Sequence, residues 1–191
     1  MSEPVDPLAV AWTVSQALAQ LGVVHTIGGS LAASFAGEPR ATIDIDVVAA
    51  LEEFHVDPLV AALSPAFYVD ETSLRRALRE RSSTNLIHHA TQLKVDLFIA
   101  GGTALDTQQL ARRRSVDVGD GRILPFHPPE DILLQKLRWY QMGGRSSDRQ
   151  WRDIQGIIRV QSQRLDRAYL REHAPALEVE ALLTDALSES D

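Results

Sequence analysis

The stretch VHTIGGSLAASFAGEPRATIDIDVVAA, residues 24–50, decides how the rest of the chain is interpreted. Its apolar start, its Gly-Gly-Ser turn and the small residues after the turn predict a strand followed by a helix. A second strand is predicted from Thr42 to Ala49, and it carries Asp44 and Asp46 with one residue between them. Side chains two residues apart on a strand point to the same face, so the two carboxylates are expected side by side.

The neighbours of these two acids are apolar, and most of them are β-branched. Two like charges in a buried strand repel each other and lose hydration, so a compensating cation is expected. A divalent metal ion bound through carboxylate oxygens is the usual compensation in proteins. An Asp-x-Asp pair taken alone is also common in ordinary loops.

Composition is typical of a globular protein. The chain has 191 residues, 45% of them hydrophobic, which suits one domain with an added helical region. It contains no cysteine, which excludes disulfide bonds and thiolate metal sites. No apolar run is long enough to span a membrane, and residues 1–20 do not resemble a signal peptide. A cytoplasmic location without a membrane partner is therefore expected.

Charge is distributed unevenly along the chain. The net charge of −7 disfavours indiscriminate binding to nucleic acids. Residues 136–171, however, hold nine cations and three anions. This basic segment is either a solvated helical surface or a surface that faces phosphates. Trp139, Tyr140 and Trp151 lie in the same segment, where they either pack in a core or stack on a base.

Strand and helix patterns alternate from Val23 to Phe126, and only helical patterns follow. This order predicts an α/β or α+β fold, in which a mixed β-sheet is flanked by helices and followed by a C-terminal helical lobe. Residues 1–127 are the predicted core domain and residues 128–191 the predicted helical region. The helical region either stands apart or forms one compact unit with the core.

A third acid, Asp96, lies in the predicted strand LKVDLFI, residues 93–99. If that strand neighbours the one with Asp44 and Asp46, the three carboxylates can bind one or two Mg²⁺ ions. The turn at residues 28–30 can bind an anion through backbone N–H groups at a helix start and through a serine hydroxyl. Asp96 alone is equally consistent with a salt-bridged core acid, and the turn alone with an ordinary helix cap.

Together these features resemble a known family. The run GGSLAASFAGEPRATIDIDVV, residues 28–48, resembles the signature of DNA polymerase β-like nucleotidyltransferases. The resemblance is nearest to a minimal bacterial branch that includes AbiEii- and MenT-like toxins of toxin–antitoxin systems. The positions that meet the pattern are Gly29, Ser30, Gly37, Arg40, Thr42, Asp44 and Asp46.

Three further segments extend the resemblance to about residues 20–160. LKVDLFI resembles the strand with the third carboxylate, which falls on Asp96. PPEDILLQKLRWY resembles a later helix whose lysine approaches the nucleotide phosphates, which falls on Lys136. SSDRQWRDIQGII resembles the next helix, where an acid recurs; Asp153 is the first choice for it and Asp148 the second.

The resemblance implies Mg²⁺-dependent transfer of a nucleotidyl group from an NTP to an acceptor hydroxyl. Asp44, Asp46 and Asp96 would be the catalytic metal ligands, and Asp96 would also assist deprotonation of the acceptor. Gly29 and Ser30 would hold the β- and γ-phosphates.

Two cations and one further acid complete the site that the resemblance implies. Lys136 would neutralise phosphate charge, Asp153 would be the further acid of the nucleotide site, and Arg40 would either reach a phosphate or pair with an acid. A toxin would act on tRNA or a protein side chain and would have a cognate antitoxin. The alternatives are a small-molecule adenylyltransferase of the aminoglycoside type and a catalytically inactive member that binds a nucleotide or a partner protein. The chain is short for the AbiEii type, so its acceptor-binding region is expected to be reduced.

Overall fold

The computed structural model describes residues 6–39 and 42–189. Their strands form one mixed sheet of seven strands in the order β3-β4-β5-β2-β1-β7-β6. The strands are β1 His25–Ile27, β2 Ile45–Ala49, β3 Phe67–Val69, β4 Ser83–His88, β5 Lys94–Ile99, β6 Arg114–Asp117 and β7 Ile123–Phe126. The α-helices are α1 Pro7–Gln20, α2 Gly29–Ala36, α3 Val56–Leu63, α4 Glu71–Glu80, α5 Ala104–Ala111, α6 Pro129–Met142, α7 Asp148–Gln161, α8 Arg167–His173 and α9 Glu180–Ser188. The mixed sheet, the flanking helices and the C-terminal helices confirm the predicted fold class.

The centre of the sheet is β2, which pairs in parallel with β5 and antiparallel with β1. Fully buried residues alternate with partly exposed ones along β2 and β5. This alternation is expected for strands with only one face in a core. The buried positions of the two strands are Ile45, Val47, Ala49, Val95, Leu97 and Ile99. The other face is therefore available for polar side chains.

Helices α1, α3 and α4 pack against this sheet. Helix α1 buries Val10, Val14 and Leu18, which share one face because they recur every four residues. Its start is fixed by Asp6, whose carboxylate accepts the N–H of Leu8 at 2.9 Å. Among the described residues, no helix is long and apolar enough to cross a membrane.

The chain divides into two compact units. The first, called the sheet unit, comprises the described residues 6–31 and 42–126. The second, called the helical unit, comprises the described residues 32–39 and 127–189. In the helical unit, α6 packs against α7, α8 and α9. The sequence-based division after residue 127 remains a prediction.

One boundary prediction close to the acids is wrong. Strand β2 begins at Ile45 rather than Thr42, so Asp44 lies immediately before the strand. Strand β2 begins at Ile45 because its ladder of pairs with β5 begins at Ile45 and Val95. The strand pattern in the sequence continues further than this ladder does.

Candidate active site

Asp46 and Asp96 lie directly opposite each other in the sheet. Their strands are parallel neighbours, and the register pairs the two residues. Residues paired in register point to the same face, and neighbouring strands are about 4.8 Å apart. Both side chains are partly buried, on the face opposite Val47 and Leu97. The pairing therefore brings two carboxylates side by side.

Asp44 belongs to the same neighbourhood. It lies two residues before Asp46, so an extended backbone would direct both side chains to one face. If the register between Ile45 and Val95 is continued by one residue, Asp44 comes opposite Lys94. The edge of the sheet where β2 and β5 begin thus carries all three predicted acids.

Lys94 adds a cation to this edge. Its Nζ lies 2.9 Å from Oδ2 of Asp96, and the side chains are 48% and 21% exposed respectively. The pKa of Lys94 is raised above its ordinary value, chiefly by the hydrogen bond to Asp96. Charge attraction from Asp96, Asp44 and Asp46 acts in the same direction, and partial burial opposes it. The ammonium group therefore lies in the combined field of the three acids.

The glycine turn is in direct contact with Asp46. The N–H of Gly28 donates to the backbone oxygen of Asp46 at 2.9 Å. Gly29 has a φ of +57°, and a Cβ at this position would lie 1.6 Å from Oδ2 of Asp46. Only glycine is therefore compatible with this approach. Ser30 follows as the second residue of α2 and is partly exposed.

Two polar residues of this face were not singled out from the sequence. Asn85 on β4 pairs in register with Asp96, so a polar row runs from Asn85 through Asp96 to Asp46. Nothing local marks Asn85, because its position depends on strand pairing. Lys94 could have been found, since it precedes Asp96 by two residues on a strand and must share its face.

The acids have the oxygen donors that Mg²⁺ prefers, and the sheet register brings them to one edge. Within residues 6–39 and 42–189, however, no group of three or more His, Asp or Glu side chains forms a ready-made metal site. Asp96 is engaged by Lys94. The three acids therefore supply the type of donor that the ion needs, and Lys94 competes with the ion for Oδ2 of Asp96.

The other predicted site residues lie elsewhere in the chain. Lys136 on α6 and Asp153 on α7 form an ion pair inside the helical unit, with Nζ 2.7 Å from Oδ2. Their side chains are only 5% and 7% exposed. Asp148 is the exposed first residue of α7. Arg40 lies outside the described residues.

The three aromatic residues singled out in the basic segment divide into two groups. Trp139 is 51% exposed, so it is not a core residue of the helical unit. Tyr140 and Trp151 pack against each other with ring centres 5.1 Å apart. The indole N–H of Trp151 also donates to Glu189 at 3.2 Å. Packing therefore accounts for the latter two but not for Trp139.

Three solved structures are similar to this chain in fold. An antigenic nucleotidyltransferase-like protein from Paracoccidioides brasiliensis is 21% identical, with 95% of this chain and 92% of that chain covered and a TM-score of 0.58. The antibiotic-resistance factor ANT(2'')-Ia is 12% identical, with coverage of 98% and 100% and a TM-score of 0.55. The lincomycin-bound lincosamide antibiotic adenylyltransferase LnuA is 12% identical, with coverage of 81% and 96% and a TM-score of 0.52.

No family model matches the sequence, and no curated protein is significantly similar to it. The chain thus has the fold of nucleotidyltransferase-like proteins.

Proposed function

We propose that this protein is a metal-dependent nucleotidyltransferase that moves a nucleotidyl group from an NTP to an acceptor hydroxyl. The observation that carries the proposal is the register pair of Asp46 and Asp96 beside the glycine turn that begins α2. A fold shared with nucleotidyltransferase-like proteins supports it.

The three acids and the glycine turn have separate proposed roles. Asp44, Asp46 and Asp96 would hold Mg²⁺ through carboxylate oxygens. When bound, the metal supplies positive charge that offsets the charge of the triphosphate and of the reacting phosphoryl group. The backbone N–H of Gly29 and the hydroxyl of Ser30 would bind the β- and γ-phosphates, because free N–H groups at a helix start attract anions.

In the proposed reaction, the oxygen of the acceptor hydroxyl attacks the α-phosphorus of the NTP. A new O–P bond forms, the bond from that phosphorus to the bridging oxygen of the β-phosphate breaks, and diphosphate leaves. Asp96 accepts the proton of the acceptor hydroxyl. Alignment of the two reactants by these groups supplies most of the rate acceleration expected for phosphoryl transfer.

Two further cations have proposed roles in phosphate binding. Lys136 would neutralise phosphate charge, with Asp153 holding its ammonium group in place. Arg40 would add a second cation, a role that rests on the sequence alone.

Two acceptor classes compete in this proposal. A tRNA acceptor would suit a toxin of the AbiEii or MenT type, held inactive by a cognate antitoxin. It is supported by the exposed Trp139 and by the excess of arginine in residues 136–171. A small-molecule acceptor is supported by the likeness in fold to ANT(2'')-Ia and LnuA, which are described as an antibiotic-resistance factor and an antibiotic adenylyltransferase.

A transfer assay tests the proposal. Each of four NTPs labelled at the α-phosphate is incubated with protein and Mg²⁺, in parallel with total tRNA, aminoglycosides and a lincosamide. Labelled product is expected with one acceptor class. Asp46→Asn and Asp96→Asn should each reduce the rate by at least about a hundredfold, because one charged group that stabilises the transition state is lost.

Asp185→Asn is the matched control, since Asp185 is an exposed residue of α9 and has no role in the proposed site. Its rate should equal that of the wild type. If no NTP gives labelled product with any acceptor, and calorimetry detects no binding of Mg-NTP, the enzymatic proposal is wrong. Binding of Mg-NTP without transfer would instead support the catalytically inactive alternative.

A further inference from the structure

A cation of the chain itself lies among the proposed metal ligands. Lys94 and Asp96 are two residues apart on β5, so their side chains share one face of the sheet. The ammonium nitrogen is 2.9 Å from the Asp96 carboxylate, which is hydrogen-bonding distance. Lys94 is half exposed, so its side chain can leave this position without disrupting a core.

The same cation is influenced by the other two acids. The hydrogen bond to Asp96 is the main cause of the raised pKa of Lys94, and charge attraction from Asp44 and Asp46 adds to it. Asp46 is the register partner of Asp96, so the carboxylate bound to Lys94 also lies beside a second one. Lys94 therefore offsets part of the repulsion within the whole group of acids.

A divalent ion would need the same carboxylate oxygens. An ammonium group and a metal ion compete for Oδ2 of Asp96, and their like charges repel each other at this separation. Binding of the metal through this oxygen must therefore break the pair between Lys94 and Asp96.

We propose that Lys94 is the built-in counter-cation of the three acids, which holds Asp96 in the metal-free protein and which a divalent ion must displace. This inference rests on the proposed function, since it takes the three acids as the metal ligands. Lys94 thereby lowers the affinity of the nucleotide-free protein for divalent metal. It also reduces the repulsion among the three carboxylates in the metal-free protein.

Calorimetric titration of Mn²⁺ into nucleotide-free protein tests the inference without any enzymatic reaction. Lys94→Gln removes the charge, and Lys94→Arg keeps it. Lys94→Gln should bind Mn²⁺ about tenfold more tightly than the wild type, the change expected when a nearby unit charge is removed. Lys94→Arg should remain within about threefold of the wild type, since it keeps a competing cation.

Arg122→Gln is a charge-matched control in the same unit. Arg122 forms ion pairs with Asp6 and Asp120. It immediately precedes β7, and the pairing of β7 with β1 lies at the other end of that strand, between Phe126 and Ile27. Arg122→Gln removes one positive charge, but the affinity of this variant for Mn²⁺ should equal that of the wild type. Equal gains in Arg122→Gln and Lys94→Gln would show a general charge effect and would overturn the inference.

Nuclear magnetic resonance of the unaltered protein gives a second test, which does not depend on a variant folding. The chain has only two lysines, so ¹⁵N-labelled lysine gives two ammonium signals, which Lys94→Arg assigns. Addition of Mg²⁺ should shift the Lys94 signal as its partner changes. An unmoved signal at saturating Mg²⁺ would overturn the inference.

The outcomes separate this inference from the proposed function. Equal affinity of Lys94→Gln and wild type for Mn²⁺ overturns the role of Lys94 and leaves nucleotidyl transfer open. Absence of Mn²⁺ binding in both proteins overturns the role of Lys94 together with the metal part of the proposed function. Tighter binding in Lys94→Gln without nucleotidyl transfer supports the role of Lys94 and counts against the enzyme.

Discussion

The two lysines of this protein each pair with an aspartate, but the two pairs lie in different surroundings. Lys94 and Asp96 lie on one strand of the sheet unit, where water reaches both side chains. Lys136 and Asp153 join α6 to α7 inside the helical unit, where both are almost entirely buried. The distances are similar, at 2.9 Å and 2.7 Å, so distance does not separate the two pairs.

The two ion pairs differ in how far they are buried. Water screens the exposed pair and solvates each charge if the pair opens, so little free energy holds it together. Opening the buried pair would leave two charges without adequate solvation, so the side chains are effectively fixed. The pair in the sheet unit can thus exchange partners, whereas the pair in the helical unit holds its two side chains in place.

The largest change in the free energy of unfolding is expected when one partner of the buried pair is removed. Lys136→Gln or Asp153→Asn should lower the free energy of unfolding by about 3–5 kcal/mol, because one buried charge loses its partner. Urea denaturation measures the change. The double variant Lys136→Met with Asp153→Leu should recover much of the loss, since neither charge of the pair remains. A loss below about 1 kcal/mol in the single variants would contradict the fixed character of the pair.

A second buried group of the helical unit should make stability depend on pH. His127 is 3% exposed, and in the described part of the chain neither ring nitrogen has a hydrogen-bond partner. Burial lowers its pKa from 6.5 to about 4. The unfolded chain therefore binds a proton near pH 6.5 that the folded chain binds only near pH 4.

Stability is consequently lost as the pH falls through this window. The free energy of unfolding should decrease by about 3 kcal/mol between pH 7 and pH 4 through His127. Urea denaturation at several pH values measures it, with His127→Asn as the comparison because asparagine does not titrate. Only the difference between the two pH profiles reports on His127, since other groups affect both proteins equally. Parallel profiles would contradict the prediction.

The sheet unit offers a test of intermediate size at its glycine turn. Gly29→Ala should cost about 2–4 kcal/mol, because it combines a positive φ with a collision against Asp46. Gly22→Ala is the matched control, since Gly22 has a φ of +71° but no atom within 4 Å of an added Cβ. It should cost only about 1–2 kcal/mol. Equal losses of unfolding free energy would show that the contact with Asp46 is unimportant.

The smallest effect is expected for the exposed pair. Lys94→Gln should change the free energy of unfolding of the metal-free protein by less than about 1 kcal/mol. The same substitution at Lys136 is the natural comparison, because the residue type and the partner type are identical. A loss at Lys94 as large as that at Lys136 would remove the distinction between the two pairs.

The elements near the acids were predictable because their patterns are local. The alternation around Asp46 and around Asp96 marks two strands, and the small residues after the glycine turn mark α2. The start of β2 was predicted too early, because an apolar alternation continues through Asp44 while the ladder with β5 does not. Strand ends depend on a partner strand, which lies far away in the sequence.

Residue types and short spacings were sufficient to single out an acid-rich site on a mixed sheet, because carboxylates at intervals of two share a face wherever a strand forms. The pairing of Asp46 with Asp96, the presence of Asn85 beside them and the contact of Gly29 with Asp46 arose only from tertiary structure. Sheet register joins residues that are far apart in the chain, and no local pattern specifies it. For the same reason, burial rather than sequence distinguishes the displaceable lysine from the fixed one.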